Sequence, residues 1–358
     1  MWWGGEKSFF DILSSQDGDE PVVELFGKTR DRQSITILAY GYKPYLFAVD
    51  PRLDLDQMMN EDPEVITAEH DRLLYKSEMH DVLKVIIKSP WKVSEYKTKF
   101  QRMGYKVLSA DISFQHRFFY DFDMGSCIRV TGERIERQYY TDIIAKMDSF
   151  ENIDSFDPGL KTLSFDIENS IQNQFIYCIC SVVKDGNEMR NCPALTGTED
   201  EIISGFCDLI RKEDPDVITG YNIDNYDIRK IIERSKVRRM KDANAWGRDG
   251  SQPRLVSERF WRVRGRLVCD AWWAVKKQLR PKQETLNAVS LMLLGEQKLD
   301  VDPKNMDSEW QNNREKVIEY CFKDAELALR ILEEVGTVRK DMDLAAVSKL
   351  TIEDVSLD

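Results

Sequence analysis

Residues 163–170 read LSFDIENS. Leu163, Phe165 and Ile167 alternate there with Ser164, Asp166 and Glu168, the period of a β-strand whose alternate side chains share a face. Phe165 and Ile167 therefore point into a core while Asp166 and Glu168 project together from the opposite side. Two ionised carboxylates held that close repel unless a cation lies between them. A lone D-x-E pair on a strand is most often a solvated face, so the rest of the chain has to say which this is.

Working outward, KTLSFDIE (161–168) is followed by a strand in QFIYCICSVV (174–183), a turn at Asp185-Gly186 and a third strand in EMRNCPAL (188–195). Thr198 and Glu201 form a capping box ahead of a helix that places Ile202, Phe206, Leu209 and Ile210 on one face, and Pro215 closes it. A short strand, DVITG (216–220), leads through YNIDNYD (221–227) into a helix over IRKIIERS (228–235). Far downstream, Val317, Cys321, Ala325, Ala328 and Leu332 mark the inward stripe of a helix from about Arg314 to Val335. Three antiparallel strands, a helix and a further strand are the order of a ribonuclease H-like α/β fold, an order that many α/β domains share.

Residues 1–155 read as a separate β-rich α+β domain, with strands in PVVELFGK, SITILAYGYKPYLFAV and DVLKVIIK. ENIDSFDPG (151–159) is the boundary, the α/β domain runs over 156–335, and the tail 336–358 ends in SKLTIEDVSLD without a recognisable terminal element.

Two further segments change the meaning of the opening pair. GYNIDNYD (220–227) sets Asn222 and Asp227 around a helix start directly after the strand expected beside the first one. YCFKD (320–324) sets Tyr320 and Asp324 at i and i+4 on one side of the last helix. Asp166, Glu168, Asp227 and Asp324 are then four carboxylates from three elements that an α/β core can bring to one rim. Oxygen ligands without His or Cys suit Mg²⁺ or Mn²⁺, and two such ions activate water and stabilise the leaving oxygen of a phosphodiester. The three histidines of the chain all lie outside these segments, which counts against a histidine general base.

The 358 residues are 42% hydrophobic and 32% charged, ordinary for a globular chain with a sizeable core. No apolar run is long enough to span a bilayer and the first thirty residues lack a signal-peptide pattern, so the expectation is a cytoplasmic protein with no membrane partner. Seven cysteines at irregular spacings read as reduced core residues rather than a disulfide or zinc framework. The net charge of −12 hides a reversal: residues 229–282 carry 17 Lys or Arg against 5 Asp or Glu, which leaves −24 on the remainder. That stretch, with RSKVRRMK and ERFWRVRGR at its densest, is either a phosphate-binding surface that steers a strand or a solvated helix-rich face. Trp261, Trp272 and Trp273 within it are either stacking residues or core.

The three acidic segments, in this order and spacing, resemble the Exo I, Exo II and Exo III motifs of the proofreading 3′-5′ exonuclease in family B DNA polymerases, of the DEDD type with tyrosine. GRLVCDAWW and ETLNAVSLMLLGEQK are similar to the family's segments between the second and third motifs. KPYLFAV, SPWKV and ISFQHRFFYDFDMG are similar to the N-terminal domain of archaeal members. The resemblance implies that Asp166, Glu168 and Asp324 bind metals directly, that Asp227 supports the second metal, and that Tyr320 positions water. Asn222, Tyr226, Thr285 and Leu286 would contact DNA, with Tyr226 where the family often has Phe. Pro44, Val93, Ile112, Phe114 and Arg117 fall at the positions of an archaeal template-uracil pocket, with Ser113 where a proline is common, and core packing is the competing role for Val93 and Phe114.

Neither an SLYPS nor a DTD string of a polymerase palm occurs, so the chain resembles the N-terminal and exonuclease portion of a longer polymerase, without fingers, palm or thumb. The last thirty residues would pack back on the N-terminal domain. The partners implied are single-stranded DNA or a primer-template, the remaining polymerase domains and a sliding clamp reached through them. The cofactors are two Mg²⁺ or Mn²⁺ ions. Two other readings stand beside this one, a DEDD-type RNA exonuclease and a non-catalytic template-sensing module. The intact set of four carboxylates and a tyrosine counts against the second.

Overall fold

The computed structural model describes residues 2–52, 54–296 and 303–357. Gln297, Lys298 and Asp358, which end two of the segments read above, lie outside them. Among the described residues no helix is long and apolar enough to cross a membrane.

The first part of the chain builds two β units. Strands Trp2–Asp17, Glu20–Thr29, Ser34–Ala39, Ile143–Asn152 and Cys127–Arg134 close into a barrel in that order. Its interior is filled by Leu25, Ile35, Ile37 and Ile128, with Phe114, Phe118 and Phe119 of helix Phe114–Asp121 against them. A four-stranded sheet of Val65–Tyr75, Glu78–Ile87, Tyr45–Val49 and Val107–Leu108 packs on helices Leu55–Asn60 and Val93–Arg102 through Met59, Tyr96 and Phe100.

The sheet that matters for function has the order Glu188–Asn191, Ile176–Asp185, Thr162–Asn169, Val217–Thr219, Leu267–Val268, with Leu195–Thr196 pairing Ile176–Asp185 off that path. EMRNCPAL is therefore two short strands, not one. The break falls at Cys192-Pro193, where proline brings no N–H to a ladder. Thr162–Asn169 lies in the middle, antiparallel to Ile176–Asp185 and parallel to Val217–Thr219.

Helices cover both faces of this sheet. Glu199–Glu213, with its reciprocal Thr198–Glu201 capping box, and Asp227–Val237 bury Leu163, Phe165 and Ile167 on one face. The Phe165 ring centroid sits 4.7 Å from that of Phe206, and full burial of such side chains stabilises by about 1.5–3 kcal/mol each. On the other face lies Arg314–Val335, which keeps Val317, Cys321, Ala325, Ala328 and Leu332 buried as its periodicity requires. Helices Ala271–Gln278 and Leu286–Leu294 pack against that long helix. The tail does carry a terminal element: Ile352–Leu357 is a short helix touching the barrel strand Trp2–Asp17, and Asp354 accepts a hydrogen bond from His116 at 2.7 Å.

Candidate active site

Asp166 and Glu168 are half-buried and do not face open solvent, because the long helix covers the side from which they project. The register sets Asp166 opposite Cys180 and Glu168 opposite Cys178. The Cys321 thiol donates to the Asp166 backbone carbonyl at 3.3 Å, and the Cys180 thiol to that of Ile318 at 3.6 Å. A carboxylate oxygen of Asp166, one of Glu168 and Cys321 Sγ lie within 4.8 Å of one another. The pair thus stands at the edge of a covered face, where the strand emerges from under the helix.

The second segment reaches the first through a tight loop. A Cβ on Gly220 would lie 2.5 Å from the Phe165 carbonyl oxygen, so only glycine lets the chain turn this close to the central strand. Asn222 then takes a left-handed conformation, φ 70°, which Asn tolerates better than most residues. Asp227, at the first position of its helix and 4% exposed, accepts a hydrogen bond from the Ile167 N–H at 3.3 Å. Burial, Asp270 and Asp324 push its carboxyl up to about 7.

Two acids that the sequence motifs do not single out hold this loop. Asp270 accepts hydrogen bonds from the backbone N–H groups of Asn222 at 2.7 Å, Asp224 at 3.1 Å and Trp272 at 2.9 Å. Asp224 accepts from the Trp261 N–H at 3.0 Å, and burial followed by the nearby Asp270 pushes its carboxyl up to about 8. Asp270 is visible in the sequence as the helix-capping residue before AWWAVKKQ, but nothing local announces that it also fastens a loop some forty-eight residues upstream.

Asp166 and Asp324 meet across a cleft of about 370 Å³ that is also lined by Tyr221, Asn222, Trp272, Glu284, Thr285 and Leu286. The Thr285 hydroxyl accepts from the Ala288 N–H at 3.3 Å and so caps helix Leu286–Leu294 at the cleft wall. Tyr320 lies one turn before Asp324, 6% exposed, among Met306, Val317, Tyr177 and Trp310. Tyr226 stands at the rim, 44% exposed, its hydroxyl donating to Asn169 Oδ1 at 2.6 Å.

The basic stretch is less available than its charge suggests. Arg248 and Arg266 are buried against Asp214 and Asp216, Arg264 pairs with Glu24 and Asp249, and Arg262 with Glu353 and Asp354. Arg234 and Arg238 hold Glu199 and Asp200 of the neighbouring helix. These six arginines tie parts of the fold together, so part of the local excess of positive charge is matched by carboxylates within the fold. Trp261 is core, its indole N–H donating to the Asp224 carbonyl at 3.1 Å. Trp273 packs against Phe260 and under Arg259, and Trp272 is the tryptophan at the cleft.

Two of the five uracil-pocket positions, Phe114 and Arg117, contact Tyr42 and Tyr45, the tyrosines on either side of Pro44. Arg117 donates to the Tyr45 hydroxyl at 2.9 Å and pairs with Asp121 at 3.4 Å. Phe114 packs against Tyr42 beside the barrel, and Val93 begins helix Val93–Arg102 against the four-stranded sheet. The Pro44 carbonyl accepts from Ile87 N–H at 3.0 Å. Ile112 lines an open cleft with Ser113, His116 and Asp354, whose walls include none of the other four.

Donor chemistry and charge both fit divalent cations at Asp166, Glu168, Asp227 and Asp324. The donors are hard oxygens, and burial, then Asp270 and, least, Asp324 raise Asp227, the last being repulsion that a cation between the two would remove.

The model of the exonuclease domain of DNA polymerase family B matches residues 105–289. The DNA polymerase delta catalytic subunit of Arabidopsis thaliana is 23% identical over 437 residues, covering 97% of this chain and 40% of the plant protein. DNA polymerase 2 of Aeropyrum pernix is 25% identical over 306 residues, 78% of this chain and 38% of that protein. The solved structure of the family B DNA polymerase from the archaeon Pyrobaculum calidifontis superposes with a TM-score of 0.83 at 21% identity, covering 99% of this chain and 48% of that one. The chain thus spans less than half the length of each of these relatives.

Proposed function

Because this chain belongs to DNA polymerase family B and carries its exonuclease domain, we propose that it is a proofreading 3′-5′ exodeoxyribonuclease. It removes nucleoside 5′-monophosphates from frayed single-stranded 3′ ends. The observation that carries this reading is the cleft in which Asp166 and Asp324 face Asn222, Thr285 and Leu286. The cleft offers carboxylates for the scissile phosphate and, beside them, hydrogen-bonding and apolar groups for the terminal nucleotide.

Exonuclease domains of this family use divalent metal ions, and on this reading they are two Mg²⁺ or Mn²⁺ held by Asp166, Glu168 and Asp324, with Asp227 supporting the second. Bound there, the ions supply the Lewis acidity that activates water and stabilises the leaving oxygen. Asp270 keeps Asn222 and the turn into Asp227 in place through the backbone N–H groups it accepts from. Asn222 and Thr285 orient the terminal sugar, Leu286 and Trp272 pack against bases, Tyr226 guides the strand at the rim, and Tyr320 orients the attacking water from the turn before Asp324. The working partners are a primer-template, the further polymerase domains of the family and, through them, a sliding clamp. Residues 1–155, 156–335 and 336–358 act as N-terminal domain, exonuclease domain and connecting segment. In the N-terminal domain Pro44, Val93, Ile112, Phe114 and Arg117 belong to a template-uracil pocket on this reading, with Arg117 fixed by the Tyr45 hydroxyl.

The test is degradation of 5′-labelled single-stranded DNA and RNA of equal sequence with Mg²⁺, with Mn²⁺ and with chelator. A metal-dependent DNA ladder shortening from the 3′ end is expected. No shortening, or faster loss of RNA, would overturn the assignment, the latter in favour of an RNA exonuclease.

A further inference from the structure

All seven cysteines are free and buried, and three of them converge: the Sγ atoms of Cys178, Cys180 and Cys321 lie within 4.8 Å of one another. Alternate positions of strand Ile176–Asp185 supply two, and the long helix supplies the third. Cys321 Sγ also lies within 4.8 Å of a carboxylate oxygen on each of Asp166 and Glu168. A cluster of soft sulfur ligands therefore shares a member with the hard oxygen pair, and Asp166 opens onto the cleft. We propose that Cys178, Cys180 and Cys321 form a second cation site, selective for thiophilic d¹⁰ ions such as Zn²⁺ or Cd²⁺, whose occupation switches off the adjacent carboxylate site.

The geometry is close to what such an ion needs. Zn–S bonds of about 2.3 Å at tetrahedral angles put sulfurs about 3.8 Å apart, so three sulfurs already within 4.8 Å close on the ion by shifts of about an ångström or less. A carboxylate oxygen of Asp166 or Glu168, each within 4.8 Å of Cys321 Sγ, swings toward the other two sulfurs to take the fourth position. Each metal–sulfur bond that forms releases that thiol's proton to solvent, and no oxidant or reductant is involved. Mg²⁺ gains little from sulfur, so the two sites differ in the ions they take. The carboxylates at the cleft also give a cation its way in, since the three cysteines are themselves 0% exposed.

Occupation reaches the chemistry in two ways. It draws a carboxylate oxygen away from the phosphodiester site, and it pulls on Cys321, which adjoins Tyr320 and lies three residues before Asp324 on the same helix. Binding itself does not depend on the exonuclease reading, whereas the switching does. The competing account is that the three thiols are ordinary small hydrophobes packed with Ala194, Ile318 and Phe322, and that account predicts no binding.

The test titrates Cd²⁺ into the full chain, with a non-thiol reductant and saturating Mg²⁺, and follows the ultraviolet thiolate-to-cadmium charge-transfer band. One saturable equivalent is expected, abolished in Cys178→Ala and in Cys180→Ala and retained in Cys207→Ala, a buried cysteine outside the cluster. Cadmium NMR of the unmodified chain, whose shift counts thiolate ligands, gives the same answer without variants. Zn²⁺ should inhibit Mg²⁺-supported DNA degradation by the parent and by Cys207→Ala at concentrations about tenfold below those needed for the cluster variants. No saturable band, or a band that survives both cluster variants, overturns the site. A band with undiminished exonuclease activity overturns the switch alone. A chain without exonuclease activity still shows the band, so failure of the functional assignment is told apart from failure of the site.

Discussion

Two groups of buried acids occupy opposite ends of one strand, and they are handled in opposite ways. At the start of Thr162–Asn169, Asp216 accepts from the Lys161 N–H at 2.7 Å and is paired with Arg248 at 2.8 Å and Lys28 at 2.7 Å. Asp214 beside it is paired with Arg248 at 3.0 Å and Arg266 at 2.6 Å. Against burial that would raise it, those guanidinium groups hold the Asp214 carboxyl down at about 2. At the other end, burial and neighbouring acids push Asp227 up to about 7. Same residue type and same sheet give opposite shifts, and the difference is which charge faces the carboxylate. The raised group lies at the carboxyl end of the parallel strands, where open α/β sheets bind their ligands. Asp214 and Asp216 are matched by cations and serve the fold, whereas Asp227 is set against other acids.

That contrast can be broken from either end. The largest effect is expected for Asp166→Ala, which should lower metal-dependent DNA degradation by about 1000-fold or more, beyond the ~10–100-fold typical of supporting residues, with unchanged circular dichroism. A loss below about tenfold would remove Asp166 from the proposed ligands.

Next comes the paired end. Arg248→Ala strips buried Asp216 and half-buried Asp214 of a partner and should cost about 3–5 kcal/mol in denaturant unfolding, while activity per folded molecule stays near the parent's. Acid breaks the same pairs. The folded-state pKa of Asp214, about 2, lies below its ordinary 3.8, so its contribution is complete above about pH 4 and is lost as pH falls toward 2. Parent and Arg248→Ala should therefore converge in stability across that window, and a constant gap would count against the pairing.

Asp270→Asn tests the boundary between the two ends, because it keeps the size of the group that fastens Asn222 but weakens its hydrogen bonds. Activity should fall about 10–100-fold with unfolding little changed, and an unchanged rate would show the loop to be held by other contacts. The smallest effect is expected for Asp224→Asn. A carboxyl raised to about 8 favours the protonated folded state, so stability declines as pH rises from about 4 to 8. The variant should gain about 1 kcal/mol or more over the parent at pH 8 relative to pH 5, read from thermal unfolding at the two values.

Much of the fold is legible locally. The alternation at Leu163, Phe165 and Ile167 places them in the core, the Thr198–Glu201 box starts a helix, and the stripe from Val317 to Leu332 lies along Arg314–Val335. These signals depend on neighbours within a few residues, where backbone geometry alone decides which side chains share a face. The charge of residues 229–282 is legible only in part, for the converse reason. Composition counts arginines but not their partners, and Arg264 finds Glu24 at a separation of 240 residues.

By itself the sequence determined the central strand, the capped helix after it, the long helix near the end and the acidic motifs with their spacing, since periodicity and caps are short-range properties. Only the tertiary structure decided that Asp270 fastens the Asn222 turn, that Arg248 and Arg266 neutralise acids rather than meet a ligand, and that Cys178, Cys180 and Cys321 meet beside Asp166. Each of these joins elements far apart in the chain, and only the packing of helices onto both faces of the sheet brings such residues within bonding distance.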